Sequence, residues 1–347
     1  MNRLLNEGGP YKTKKTGSNE YSMTITIPPD EDGRIARECP DDSCSPGYFK
    51  VKPGTGITEG QTEAYCPYCC RSDIPNNFQT KEQLRFAKDI VTREAHKSIS
   101  NIIGNALGFG SSTKKQLGGG FLSIEMSYKP GALPLVRPPT EEALKRDIIC
   151  PHCGLDHSVY GLATWCPDCG KDIFVIHLQQ EYSVIRKMLS DGVCSKKEYG
   201  ERIAARYIEN ALEDVVSIFE AVLKTELPRF LRQQGTASDE AEIILKKIGN
   251  GFQNITRATR FYQEELGIEL FANFSPDKVE KLRQIFEKRH PITHNLGIVD
   301  KKYLERAKTR EREGREVSVS ESDVMGAIDF SYEVLSALHK RLFDAIG

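Results

Sequence analysis

The stretch Cys150-Pro151-His152-Cys153-Gly154, with Cys166-Pro167-Asp168-Cys169-Gly170 twelve residues on, decides how the middle of the chain folds. Two C-x2-C pairs at this spacing wrap one tetrahedral Zn²⁺ from two sides, with thiolates at about 2.3 Å. In each pair a proline fixes a turn. A glycine permits the positive φ that turns backbone N–H groups toward sulfur. The stretch predicts a zinc ribbon over 146–178 with Cys150, Cys153, Cys166 and Cys169 as ligands; iron in a rubredoxin-like site has the same spacing.

Upstream, the looser pairs Cys39-Pro40-Asp41-Asp42-Ser43-Cys44 and Cys66-Pro67-Tyr68-Cys69 offer a second ligand set: Cys39, Cys44, Cys66 and Cys69. Cys70 is an alternative to Cys69, and sharing of ions between the two quartets is an alternative pairing. Two structural zinc ions per chain are expected. A closed four-thiolate shell leaves no position for substrate, so the ions staple a region with little core of its own, or serve recognition of a partner or substrate. Cys194 has no paired neighbour and reads as an ordinary thiol.

The 347 residues carry 48 Lys and Arg against 49 Asp and Glu. A net charge of −1 excludes a globally basic nucleic-acid binder, so any phosphate contact must come from a local patch. No segment approaches the ~18 uninterrupted apolar residues of a membrane span. Residues 1–20 lack an apolar stretch of signal-peptide length. A cytoplasmic location with no membrane partner is expected, and in a reducing compartment paired cysteines serve as metal ligands.

Hydrophobic periodicity divides the rest into a polar tail (1–20), a zinc-containing α+β region (21–145), the ribbon (146–178) and a helical domain (179–347). Tyr21 to Ile27 alternates at period two and predicts a strand ending at Pro28-Pro29. Residues 80–107 place Leu84, Ala87, Ile90, Val91, Ala95, Ile99, Ile102 and Ile103 at helical spacing. Glycine-rich 108–120 predicts a loop, Phe121 to Tyr128 a strand, and Pro130 to Pro139 an extended connector. A helix near 197–233 carries the stripe Ile203, Tyr207, Ala211, Val215, Phe219, Val222 and Leu223, with Pro228 expected to kink or end it. A second runs about 239–266. A third starts at Ser275-Pro276-Asp277. The last follows Ser320-x-x-Asp323 and carries Val324, Ile328, Leu335, Leu338 and Leu342. The fold class is α+β multidomain: a small zinc-ribbon region followed by an all-α bundle.

The densest chemistry is Glu287-Lys288-Arg289-His290-Pro291-Ile292-Thr293-His294-Asn295-Leu296-Gly297. Pro291 is expected to interrupt the helix and present these polar groups at its end. Residues from about 197 to 345 resemble a HEPN domain, the all-helical module of prokaryotic toxin, abortive-infection and defence ribonucleases. The family's mark is an arginine, a polar residue, three to five further residues and then a histidine; Arg289, His290 and His294 match it. Phe219-Glu220 resembles the acid-bearing helix that faces the motif.

The resemblance implies metal-independent RNA cleavage in a homodimer whose two motifs meet in one cleft. It implies His294 as general acid/base, Arg289 as phosphate clamp, His290 as polar support, and a 2′,3′-cyclic phosphate product. The residue types suit that chemistry. Histidine titrates near neutrality, and the planar fork of arginine holds two phosphate oxygens as charge develops. Asn295 is expected to bind substrate or cap the helix, and Lys301, Lys302, Arg306 and Arg310 to steer RNA. The run Lys301 to Glu316 otherwise reads as a solvated loop. Other readings stay open: a His290/His294 metal pair, Arg289 bridging surface acids, or a protein regulator as partner. A non-catalytic zinc-ribbon and helical module that binds nucleic acid or a protein, or dimerises, also stays open, as does a zinc-ribbon protein bound to duplex DNA.

Overall fold

The computed structural model describes residues 5, 7–18, 20–109, 114–117, 124–144 and 146–343. The chain divides into two compact units: Met1–Gly161 with Cys166–Gly170, and Leu162–Trp165 with Lys171–Gly347.

The first unit is built on small antiparallel sheets. Strands β1 (Lys14–Lys15) and β2 (Tyr21–Ser22) form a two-residue ladder. Strands β3 (Ile35–Glu38) and β4 (Tyr48–Val51) form a hairpin; β5 (Ala64–Tyr65) and β6 (Ser72–Asp73) form a shorter one. Helix α1 (Lys81–Ala106) follows, then the hairpin β7 (Lys114–Leu117) and β8 (Ile124–Ser127). Strands β9 (Arg146–Ile149) and β10 (Asp156–Val159) complete a four-stranded sheet of order β3-β4-β10-β9. Phe49 pairs with Val159 across β4 and β10, both buried, and Phe49 meets Phe78 edge-on at 6.0 Å.

Several expectations change here. The boundary at 145/146 falls within this one sheet, because β10 bonds to β4 as well as to β9. The alternating segment 21–27 gives only two strand residues. Tyr21, Met23, Ile25 and Ile27 are half-buried in turn, but beyond Ser22 no neighbouring strand supplies a ladder among the described residues. Strand Lys114–Leu117 lies inside the expected glycine-rich loop, whose composition masked a four-residue strand. The strand expected from Phe121 is seen as Ile124–Ser127, and 121–123 lie outside the described residues. Helix α1 stands where the periodicity places it. It is started by a reciprocal capping box between Thr80 and Gln83. Of its stripe Ile90 is buried, whereas Leu84, Val91, Ile99 and Ile103 are exposed.

The second unit is all-helical. Helices α2 (Phe174–Tyr199) and α3 (Glu201–Gln233) form an antiparallel pair turned at Gly200, φ 89°. They approach so closely that a Cβ on Gly192 would stand 2.7 Å from that of Tyr207. Then come α4 (Ser238–Ile248), α5 (Ile255–Leu266), α6 (Pro276–His294), α7 (Lys301–Ala307) and α8 (Glu321–Phe343). Helix α3 is the hub. Ala211, Leu212, Val215, Val216, Phe219, Val222, Leu223 and Leu227 are buried along it, and α2, α6 and α8 pack around them. The five core positions expected on α8 are all buried, behind a capping box between Ser320 and Asp323.

The helical reading is corrected in six places. Helix α2 begins at Phe174, inside the expected ribbon stretch. Ile203, assigned to the core stripe, is 43% exposed. Pro228 does not end α3, since Leu227, Arg229 and Leu231 are buried on either side and tertiary packing outweighs the lost backbone bond. The helix expected over 239–266 breaks at Gly249, φ 54°, and restarts after Asn254, whose side chain accepts the Arg257 N–H. Pro291 does not interrupt α6: Pro291 and Ile292 are buried, and the N–H groups of Asn295 and Gly297 both return to the Pro291 carbonyl. The run from Lys301 is likewise ordered, as α7 capped by Asp300 and a backbone bridge from Ile298 to Glu316.

Candidate functional site

The first unit carries two four-cysteine groups. Cys39–Cys44 forms the loop of the β3–β4 hairpin, and Cys66–Cys69 the turn between β5 and β6. Cys150–Cys153 forms the loop of the β9–β10 hairpin, and Cys166–Cys169 a separate turn closed by Gly170 N–H to the Cys166 carbonyl. Within each group all four sulfurs lie within 4.8 Å of one another. Cys39–Cys69 and Cys44–Cys66 stand 3.7 Å apart, Cys150–Cys169 3.8 Å and Cys153–Cys166 3.5 Å. A tetrahedron with metal–sulfur bonds of about 2.3 Å has edges of about 3.8 Å, so both sets are sized for one ion each. Backbone N–H groups of Asp41, Tyr68 and His152 point at Cys39, Cys66 and Cys150, as thiolate ligands require. Cys69, not Cys70, completes the first set, and no ligand is shared between sets. Tyr65 N–H donates to the Pro167 carbonyl, linking the second turn of each set. Gly56, φ 74°, lies over the second set: an added Cβ would stand 2.9 Å from that of Leu155 and overlap the Asp168 carboxylate.

In the second unit the end of α6 opens into a cleft of about 180 Å³. Arg289, His290 and His294 line it, joined by Asn250, Gln253, Asn254, Arg257 and Arg306 from neighbouring elements. Three guanidiniums and two imidazoles face a single acid there, Glu287, whose carboxyl burial pushes up against the pull of Arg306 and Arg283. Because α6 continues through Pro291, the two histidines share a face, with ring centroids 5.1 Å apart. His294 is exposed and His290 half-buried. Burial first, then the charges of Lys302, His294 and Arg306, lower the His290 pKa, which favours the neutral ring.

Arg289 is half-buried and donates to Gln253 Oε1 at 2.9 Å. Gln253 Nε2 donates to Glu220 Oε2 at 2.6 Å, and Lys224 Nζ stands 2.7 Å from Glu220 Oε1. Asn254 Nδ2 donates to Glu287. The cleft is thus electropositive and polar, and Gln253, Asn254, Glu287 and Arg289 are held in its wall by hydrogen bonds. Asn295, Lys301 and Lys302 are exposed but do not line it; Asn295 donates its amide to the Ile298 carbonyl at 2.7 Å. Sequence reasoning missed Gln253, Asn254 and Arg257. The only signal was the helix-start pattern Asn254-Ile255-Thr256-Arg257, hidden by the assumption of one long helix.

A second polar cluster in this unit centres on a buried histidine. His339 on α8 lies 2.5 Å from both Glu226 and Asp172 and stacks on Phe174 at 4.0 Å. Arg229 shares Glu226 and also bonds Thr164 and the Leu162 carbonyl. Burial depresses the His339 pKa, but the hydrogen bonds and charges of Asp172 and Glu226 override it and carry the pKa to about 9. Glu226 has no exposed surface, so its charge is balanced within the cluster.

Among the described residues no helix is long and apolar enough to cross a membrane. No family model, no curated protein and no solved structure matches this chain, so the functional reading rests on these two thiolate groups and the cationic cleft.

Proposed function

We propose that the chain is a metal-independent endoribonuclease of HEPN type, acting in a toxin or antiviral-defence setting, with two structural zinc ions bracing its first unit. The cleft at the end of α6 carries the reading: Arg289 and His294 stand together among further cations, one half-buried and held, the other open to solvent.

The chemistry follows from the residue types. The imidazole of His294 takes the 2′-hydroxyl proton, and O2′ attacks phosphorus. The P–O5′ bond breaks as a second histidine, from the other copy of a homodimer, protonates the leaving oxygen. The products are a 2′,3′-cyclic phosphate and a 5′-hydroxyl. Arg289, with Arg257 and Arg306 nearby, holds the non-bridging oxygens as negative charge builds. His290, kept neutral by burial and its cationic neighbours, offers a hydrogen-bond acceptor beside His294. Zinc fits both thiolate groups by donor type and spacing. The closed shells confine it to bracing and recognition.

The test is cleavage of RNA by metal-loaded protein without added divalent ions, with end-group analysis by mass spectrometry. Arg289→Ala and His294→Ala are expected to lose activity while keeping the wild-type melting curve. Cleavage unchanged in both, or dependence on added Mg²⁺, overturns the reading. RNA bound without cleavage, and unaffected by His294→Ala, establishes the non-catalytic binding module instead.

A further inference from the structure

Arg289 is anchored by an amide whose orientation is dictated from behind. Glu220 is 9% exposed on α3, and its carboxylate only accepts hydrogen bonds. It therefore takes the NH2 end of Gln253, at 2.6 Å. That leaves the Gln253 carbonyl facing Arg289, whose guanidinium only donates, at 2.9 Å. Lys224, one turn along α3 from Glu220, holds the other carboxylate oxygen at 2.7 Å and also reaches Asn250 Oδ1 at 3.5 Å. The chain of partners Lys224–Glu220–Gln253–Arg289 alternates donor and acceptor at every step. No residue in it can be reversed without setting like groups face to face.

We propose that Gln253 is the positioning residue for Arg289. Held by Glu220, it engages one N–H of the guanidinium and leaves the rest of the fork directed at a phosphate in the cleft. A phosphate clamp ordered before substrate arrives loses less on binding and needs no reorganisation as charge develops. The assignment rests on the cleft being the phosphate-cleaving site, and it concerns a residue that touches Arg289 rather than the reacting atoms.

The experiment uses the full metal-loaded chain with three readouts: melting temperature, RNA-cleavage kinetics, and side-chain ¹⁵N–¹H signals of Arg289, assigned with Arg289→Lys. In Gln253→Leu the Arg289 signal is expected to average to that of a freely rotating guanidinium. kcat is expected to fall roughly tenfold to hundredfold, as for a misplaced reacting partner, with KM changing less. Gln253→Glu sets two carboxylates against each other and is expected to lose activity as well. Adding Glu220→Gln to it restores one donor–acceptor order: the amide now at position 220 donates to the carboxylate now at position 253, which accepts from Arg289. That double variant is expected to recover the ordered Arg289 signal and part of kcat. An ordered Arg289 in Gln253→Leu with unchanged kcat overturns the proposal. So does a double variant no better than Gln253→Glu alone. If the wild type cleaves no RNA, the reading of the cleft falls. The role of Gln253 is then decided by the Arg289 signal and by titration with inorganic phosphate: weaker binding in Gln253→Leu sustains it and equal binding ends it.

Discussion

His339 makes the stability of the helical unit depend on pH in a direction opposite to that of most acid-sensitive proteins. Its pKa is about 9 in the folded chain, against an ordinary 6.5. Between these values the folded state binds a proton that the unfolded state has released, so raising the pH favours unfolding. The contribution is complete below pH 6.5 and lost as pH climbs through about 9. Two and a half pH units at about 1.4 kcal/mol each give roughly 3.5 kcal/mol. That figure is a ceiling, because Asp172, one of the two acids facing the ring, is 45% exposed and its field is screened, while Arg229 competes for the other, Glu226. The assay is urea denaturation of metal-saturated protein at half-unit steps from pH 6.5 to 10, in wild type and His339→Gln. Glutamine retains a donor for Glu226 but carries no titrating charge. The wild type is expected to lose about 2–3 kcal/mol more than the variant across that range. Parallel pH curves for the two proteins would refute the reasoning.

Three further expectations are simpler to check. Native mass spectrometry should find two metal ions per chain; Cys166→Ser should bind one and unfold at lower denaturant, whereas two ions in that variant would mean a different ligand set. Gly56→Ala demands a left-handed backbone from a residue with a side chain and overlaps Asp168 and Leu155, so it should destabilise the first unit by about 1–3 kcal/mol in chemical denaturation. Phe219→Ala removes a ring with no exposed surface, packed edge-on against Phe286 at 5.4 Å, and should cost about 3–5 kcal/mol. Ile203→Ala, on the exposed side of the same helix, should cost about 0.5 kcal/mol or less; equal costs for the two would contradict the packing.

The cysteine sets were legible because metal ligation imposes local spacing: four sulfurs around one ion leave little freedom to the chain between the pairs. Helix α8 was legible for a similar reason, with a capping box at one end and a 3.6-residue stripe behind it. What could not be read was long-range. Nothing local says that β10 pairs with β4, since that pairing is fixed by a packed face assembled from distant segments. Pro228 and Pro291 show the same limit, because a local rule against proline yields when buried neighbours on both sides hold the helix. At the site, Arg289, His290 and His294 stood out by residue type and spacing, and the structure brings these three into one cleft. Gln253 did not stand out, because an amide acquires a role only from what lies on either side of it, here Glu220 and Arg289.

The sheet order has a consequence for how the protein is made. Strand β4 is complete at Val51, but the strand that covers its other edge starts only at Asp156. At a synthesis rate of about 5–20 residues per second, the nascent chain leaves the ribosome with that edge bare for roughly 5–20 seconds. During this interval its unpaired N–H and C=O groups are a template for a neighbouring polypeptide. A fragment released before Asp156 keeps the edge bare permanently. Premature termination in this interval is therefore expected to yield insoluble material.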